Sequence, residues 1–267
     1  MLALAVTLVA AAPAGAVSGG SALPIDRAPF VAFVDIGGGR CTGTLISPTR
    51  VLTAGHCLDG HNATDAQVVV GIDGILATPA QQRAAARPIR GFTVDPDFGE
   101  AFPFAHDSPF AAIAFGDVGL ILLKHPVAGI APVRVAGAGD AALQAPGASA
   151  TVAGYGLVGP INPGQPDTGP TIPPALQQGS LSVIGQGDCA KLYPHAVRPS
   201  MLCTQDLVAH TPLVQACAGD SGGPVLAQSP SGPVQTGVTS WGPEVMDGPC
   251  GPSRSPTAAR RSSAATT

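Results

Sequence analysis

Residues 217–224 read CAGDSGGP and place one serine, Ser221, inside a glycine-rich turn. A serine hydroxyl is a weak nucleophile near neutral pH, so it reacts only when a neighbouring base takes its proton. Glycine permits backbone conformations that other residues avoid, which allows the chain around Ser221 to turn sharply and to point two N–H groups at one spot. The segment therefore predicts a nucleophile beside a pair of anion-stabilising amides.

Two further segments contain the groups that such a serine needs. Residues 53–57 read TAGHC and contain His56, and imidazole can accept a proton and return it near neutral pH. A carboxylate must then orient the imidazole. Residues 117–123 read DVGLILL, in which an alternating apolar run follows Asp117, and Asp107 is a nearby second candidate.

The composition favours a folded β protein. Of the 267 residues, 45% are hydrophobic and 11% are charged, and 35 glycines and 28 prolines separate short apolar runs. That apolar fraction excludes a disordered chain, and the frequent turns between short runs favour an all-β fold. The net charge of −4, with no basic cluster before Arg260, excludes an electrostatic surface for nucleic acid.

The first residues have the pattern of a secretory signal. Residues 1–25 carry no ionisable side chain, and the apolar run 1–12 precedes a small-residue pattern that ends at Ala16. Because this run is too short to cross about 30 Å of hydrocarbon, we expect no stable membrane insertion. The sequence predicts a signal peptide over residues 1–16 and an extracellular protein.

The cysteine and histidine spacing predicts disulfides rather than a metal site. The six cysteines are an even number, as is usual in an oxidising compartment, and their count alone leaves the pairing open. Neither a C-x-x-C nor an H-E-x-x-H pattern occurs. We therefore expect no metal and no cofactor.

The three segments, in the order His, Asp, Ser, resemble the chymotrypsin/trypsin-like secreted serine proteases. The resemblance covers residues 17–251 and implies two antiparallel six-stranded β-barrels, with the substrate in the cleft between them. Barrel one is expected over about residues 17–132 and barrel two over about residues 148–251.

The resemblance also implies a role for each residue of the site. His56, Asp117 and Ser221 form the catalytic triad, and the amides of Gly219 and Ser221 form the oxyanion hole. The implied function is that of a serine endopeptidase that hydrolyses peptide bonds through an acyl-enzyme intermediate. Its partners are protein or peptide substrates and protein inhibitors, and it is expected to be a monomer.

Further residues receive roles from the same resemblance. Cleavage after Ala16 exposes Val17, whose α-amino group is expected to be buried against Asp220. Gln215 lies at the base of the specificity pocket, and because it is neutral it does not favour basic side chains. The walls of the pocket are formed by Ser240, Trp241 and Gly242. The expected disulfides are Cys41–Cys57, Cys189–Cys203 and Cys217–Cys250.

The C-terminal residues depart from the family. Residues 252–267 are rich in Ser, Thr, Ala and Arg, contain Pro252 and Pro256, and show no apolar alternation. This composition predicts a disordered tail and an incomplete second barrel. It leaves open an alternative function, a catalytically impaired protein of the protease fold that acts as a binding or decoy protein.

Overall fold

The computed structural model describes residues 17–101, 113–158, 172–173, 175–208, 210 and 213–242, together with the backbone of 257–261. The predicted signal segment, residues 1–16, lies outside the described residues, as do Asp107 and Cys250.

Most of the regular structure in the described residues is β-strand. The strands are β1 Ser21–Ala22, β2 Val31–Ile36, β3 Gly39–Ser47, β4 Arg50–Thr53, β5 Ala66–Val70, β6 Ile89–Val94, β7 Gly99–Ala101, β8 Ile113–Phe115, β9 Gly119–Leu123, β10 Arg134–Val135, β11 Ser149–Gly154, β12 Gln177–Ile184, β13 Met201–Gln205, β14 Pro224–Ser229, β15 Gly232–Trp241 and β16 Thr257–Arg261. The helices are α1 Pro79–Ala85 and α2 Gln186–Leu192, with 3₁₀ turns at Ile25–Arg27, Ala63–Asp65 and Ala138–Gln144. The all-β, two-barrel prediction is confirmed.

The first barrel is a six-stranded antiparallel sheet in the order β5-β2-β3-β4-β9-β6. Its strands follow the alternation expected of a half-buried strand. In β9, Ile121 and Leu123 are buried while Leu120 is partly exposed. The two end strands approach each other where the Arg87 N–H donates to the Val68 carbonyl at 2.8 Å, just before β6 begins.

The second barrel is closed, which corrects the prediction that it is incomplete. Its strands run β12-β11-β14-β15-β16-β13, and β13 pairs back onto β12. β16, Thr257–Arg261, pairs antiparallel with both β13 and β15, so the prediction of disorder over residues 252–267 is wrong for these five residues. Pairing requires only backbone N–H and C=O groups, which two open strand edges supply, and both prolines of the tail precede β16.

Two short strands differ from the expected barrel boundaries. β1 lies within the range expected for barrel one, but it pairs antiparallel with β12 of the second sheet. β10 lies between the two expected ranges and pairs in parallel with β15. The N-terminal segment therefore crosses to barrel two before the chain builds barrel one.

The start of helix α1 is fixed by hydrogen bonds between the side chains and backbone of its first turn. The Thr78 hydroxyl accepts a hydrogen bond from the Gln81 N–H at 3.3 Å, and the Gln81 side chain accepts one from the Thr78 N–H at 2.8 Å. This reciprocal capping, with Pro79 at the first helical position, fixes where the helix starts.

No helix among the described residues is long and apolar enough to cross a membrane.

The two barrels are in contact through both apolar side chains and hydrogen bonds. The rings of Phe33 and Tyr155 meet edge to face, with centroids 5.4 Å apart. The buried Asp73 carboxylate accepts a hydrogen bond from the Leu176 N–H at 2.7 Å. The barrels therefore form one packed unit rather than two separate domains.

The double pairing of β16 leads to a stability prediction. A chain that ends at Pro256 should lose a large share of the ~5–15 kcal/mol that stabilises an ordinary domain, because β13 and β15 would each lose a strand partner. A chain that ends at Arg261 is the control and should keep its stability. Urea unfolding of the two truncated chains measures the difference, and equal midpoints would mean that β16 does not support the barrel.

Candidate active site

His56 and Asp117 meet at the end of two paired strands. β4 and β9 are antiparallel, and Thr53 lies opposite Gly119, so the residues just after β4 and just before β9 emerge at the same end of the barrel. His56 Nδ1 and Asp117 Oδ2 are 2.8 Å apart, and the His56 backbone N–H donates to Asp117 Oδ1 at 2.8 Å. The carboxylate thus fixes both the ring and the backbone of the histidine.

The Asp117 carboxylate is buried and remains the acceptor in this pair. Its side chain is 1% exposed, whereas that of His56 is 26% exposed. Burial alone would raise the pKa of Asp117, but the charge of His56 and hydrogen bonds from His56 and Ser240 outweigh it and lower the pKa. Asp117 therefore stays ionised, and with the proton on Nδ1 the other ring nitrogen of His56, Nε2, is the one that can act as a base.

Ser240 has a different contact from the one expected of a pocket wall. Its hydroxyl donates a hydrogen bond to Asp117 Oδ2, although the two residues are 123 positions apart in sequence. Ser240 is 8% exposed and lies in β15 of the second barrel. It therefore holds a carboxylate that belongs to the first barrel.

The Ser221 turn is held by hydrogen bonds at both ends. The Asp220 N–H donates to the Cys217 carbonyl at 2.9 Å, and the Gly223 N–H donates to the Asp220 carbonyl at 2.8 Å. Gly219 has φ of +96°, a value that favours glycine. Within the described residues, the amides of Gly219 and Ser221 donate to no backbone carbonyl, so both can receive an anion.

Gly222 is required because barrel one passes directly beside the turn. Its φ is +81°, and a Cβ atom there would overlap the Thr53 hydroxyl and the Thr42 carbonyl oxygen. Thr53 is the last residue of β4, three positions before His56. The glycine thus lets the turn carrying Ser221 dock against the strand that carries His56.

Thr42 joins the two barrels through its N–H and its hydroxyl. Its N–H donates to the Ser221 carbonyl at 2.8 Å and its hydroxyl donates to the Gly219 carbonyl at 2.9 Å. The same hydroxyl accepts from the Tyr155 N–H at 3.0 Å, and the Thr42 carbonyl accepts from the Thr53 hydroxyl at 2.8 Å. Thr42 is fully buried, and no motif in the sequence pointed to its role.

Asp220 lies in a buried site made by glycine and by the N-terminal segment. Its carboxylate accepts hydrogen bonds from the backbone N–H groups of Cys217 at 2.9 Å and Gly156 at 2.8 Å, and a further one from the Val17 N–H. Burial raises the pKa of Asp220 to about 7, against the lowering effect of these hydrogen bonds. A side chain at Gly156 would collide with Asp220, so the pattern Gly154-Tyr155-Gly156 was the available sequence signal for this close approach.

Val17 and Asp220, predicted to be partners, are therefore brought together. Val17 is completely buried and has φ of +57°, in the left-handed region. Ser18 pairs next to it with Gln215, whose N–H donates to the Ser18 carbonyl at 2.9 Å. The N-terminal segment thus supports both the Ser221 turn and the expected base of the pocket.

The other residues expected to form the specificity pocket, Gln215, Trp241 and Gly242, are all buried. Gln215 is 5% exposed, and Trp241 packs edge to face on Tyr193 with centroids 5.0 Å apart. Gly242 is also buried. The neutral Gln215 supplies no negative charge for a basic substrate side chain.

Two of the three expected disulfides are present. Cys41–Cys57 and Cys189–Cys203 both form. Cys217 is disulfide-bonded, and its expected partner Cys250 lies outside the described residues. Cys41, Cys57 and His56 bring possible metal-ligating atoms within 4.8 Å of one another, but both sulfurs are in a disulfide and offer no thiolate.

The contribution of the Thr42 hydroxyl to stability can be tested by replacing Thr42 with valine and with serine. Thr42→Val keeps the shape but leaves two groups, the Tyr155 N–H and the Gly219 carbonyl, without the hydroxyl, which at roughly 1–3 kcal/mol for each group should lower the free energy of unfolding by about 2–6 kcal/mol. Thr42→Ser is the matched control, since it keeps the hydroxyl and loses one methyl group, which is worth about 1 kcal/mol. Urea unfolding compares them. A valine variant as stable as the serine variant would contradict the role assigned to the hydroxyl.

Comparison with known proteins agrees with this geometry. The family model for trypsin matches residues 17–266. Kallikrein-1 of Mus musculus is 31% identical over 216 residues, which cover 79% of this chain and 72% of the relative. Trypsin of Saccharopolyspora erythraea is 30% identical over 228 residues, which cover 84% of this chain and 86% of the relative. The resemblance noted in the sequence is thereby confirmed, and the chain belongs to the trypsin family of serine proteases.

Proposed function

We propose that the protein is a secreted serine endopeptidase that cleaves peptide bonds through His56, Asp117 and Ser221. The observation that carries the proposal is the pair of hydrogen bonds from the backbone N–H and ring of His56 to the buried Asp117 carboxylate. A histidine fixed in this way presents Nε2 as a base, and the turn with Ser221 is docked on the strand that ends before His56.

The proposed reaction proceeds in two steps. His56 Nε2 takes the proton of the Ser221 hydroxyl while the oxygen attacks the substrate carbonyl carbon, and the amides of Gly219 and Ser221 stabilise the oxyanion. The imidazolium, stabilised by Asp117, then protonates the leaving amine as the carbon–nitrogen bond breaks. Water, deprotonated by the same His56, attacks the resulting ester and releases the acid product and Ser221.

The alternative of a catalytically impaired binding protein loses its main support. It depended on a second barrel lacking a strand, which would leave the cleft loosely formed. β16 fills that position between β13 and β15. The enzyme is therefore the function that the described residues favour.

The substrates, compartment and assembly state follow as parts of the proposal. The substrates are proteins or peptides, and protein inhibitors that fit the same cleft would block it. The signal pattern over residues 1–16 and the two disulfides of the described residues favour an extracellular location. We further propose a monomer with a mature chain that begins at Val17, for which intact-mass measurement of the secreted protein is the test.

The nucleophile is tested by serine-directed labelling. A fluorophosphonate should label the mature protein once, and Ser221→Ala should abolish the label and lower kcat by about 10⁶-fold, because no other group in the triad can form the acyl-enzyme. Ser180→Ala, an exposed serine of β12, is the matched control and should keep full labelling. Peptidase activity retained by Ser221→Ala would contradict the proposal.

The buried Asp220 predicts a pH dependence of stability that differs between two forms of the chain. When residues precede Val17, the raised pKa of about 7 means that folding favours the protonated carboxyl group. The resulting stabilisation is complete below the ordinary pKa of 3.8 and is lost as the pH rises through about 7. In a chain that begins at Val17, the α-ammonium group offsets the negative charge, so stability should be kept up to about pH 8.

This difference can be measured by urea unfolding at pH 5 and pH 8, with Ser221→Ala in all chains to prevent self-cleavage. The longer chain should be less stable at pH 8 than at pH 5 by more than the chain that begins at Val17. Asp220→Asn is the control, since it removes the titrating group and should make the two forms respond alike. The same pH response in both unmodified forms would count against the pairing of Val17 with Asp220.

A further inference from the structure

Arg40 lies beside the proposed oxyanion hole. It precedes Cys41 in β3, is partly exposed, and its Cδ lies 3.6 Å from the point where a Cβ atom on Gly219 would be. Its Nη1 donates to the carbonyl of Tyr155, a residue whose own N–H is bound by Thr42. The Arg40 side chain thus passes beside the glycine whose amide would stabilise the oxyanion.

Within the part of the chain that the structure describes, Arg40 uses little of its hydrogen-bonding capacity. The bond to Tyr155 is long, at 3.4 Å, and the buried Nε has no hydrogen-bond partner in the described residues. Asp35 is opposite Arg40 in the β2–β3 pairing, but no ion pair forms between them. Arg134, by contrast, is bound by both oxygens of Asp140.

The described residues around Arg40 compensate little of its positive charge. Burial lowers the pKa of Arg40, and the nearby Asp35 raises it by less. The Phe33 ring lies 5.7 Å from the guanidinium carbon, which stabilises a cation without neutralising it. Because Nε is buried and Nη1 already donates to Tyr155, a carboxylate from outside the chain would be bound by the remaining N–H groups of the two Nη nitrogens, which lie in one plane.

The location of Arg40 assigns it to one side of the scissile bond. Cys41 and Cys57 form the disulfide whose sulfurs lie within 4.8 Å of a His56 ring nitrogen. His56 must protonate the leaving amine, so the part of the substrate that follows the scissile bond extends over this disulfide and toward Arg40. The acyl part lies on the other side, toward Gln215.

From these contacts, and on the basis of the proposed function, we propose that Arg40 determines specificity on the leaving-group side. It binds the carboxylate of an Asp or Glu side chain at the first or second residue after the scissile bond. The preferred substrates are therefore peptides that are acidic just after the cleavage site.

The preference can be measured without knowing the acyl-side specificity. Digestion of a mixed peptide library, with cleavage sites read by mass spectrometry, identifies a good cleavage sequence. Paired peptides with Glu or Gln at the first or second position after that site then give kcat/KM. We expect about a tenfold preference for Glu at one of these positions, reduced at 0.5 M salt because the pair is partly exposed.

Three variants separate the charge of Arg40 from a structural role. Arg40→Gln should bring the Glu/Gln ratio of kcat/KM close to one, and Arg40→Glu should invert the preference toward Lys. Arg87→Gln is the matched control, because Arg87 is also partly exposed, has a buried unpartnered Nε, and donates to one carbonyl, that of Val70, at 3.3 Å. It should keep the wild-type ratio.

The outcomes distinguish this inference from the proposed function. Cleavage with equal kcat/KM for Glu and Gln peptides, or an unchanged ratio in Arg40→Gln, would overturn the inference and leave the endopeptidase intact. A protein that neither cleaves the library nor reacts with a fluorophosphonate would overturn the proposed function, and the inference would fall with it.

Discussion

The contact between Thr42 and the Ser221 turn is the constraint on which the site depends. Thr42 belongs to barrel one, yet its N–H and hydroxyl hold the carbonyls of Ser221 and Gly219 in barrel two. Gly222 allows this approach because it has no side chain to separate the barrels. A shift of the barrels would therefore move Ser221, the proposed nucleophile, and the amides proposed to bind the oxyanion away from His56 at the same time.

Barrel two in turn positions a residue of the site that belongs to barrel one. Asp117 comes from barrel one, but the Ser240 hydroxyl that binds its carboxylate comes from barrel two. Each barrel thus supplies residues of the proposed triad and also positions those of the other barrel. This reciprocal arrangement explains why buried threonine and serine residues occur along an interface that otherwise contains apolar pairs such as Phe33 and Tyr155.

The sequence predicted those parts of the molecule that depend on short segments. Residues 53–57 and 217–224 identified His56 and Ser221, since glycines and an adjacent cysteine mark unusual local geometry. Thr42 and the contact of Ser240 could not be predicted, because their partners lie more than a hundred positions away in sequence. β16 was missed for a related reason: neighbouring strand edges, rather than its own apolar pattern, determine that residues 257–261 are a strand.

The position of β16 has a consequence for the order of events during synthesis. Barrel one uses strands from residues 31–123, whereas β16 is the last strand that the structure describes and lies between β13 and β15. Barrel two therefore cannot close until residues 257–261 have left the ribosome, long after barrel one has all of its strands. Until then, the edges of β13 and β15 that β16 will cover are open to pairing with other chains.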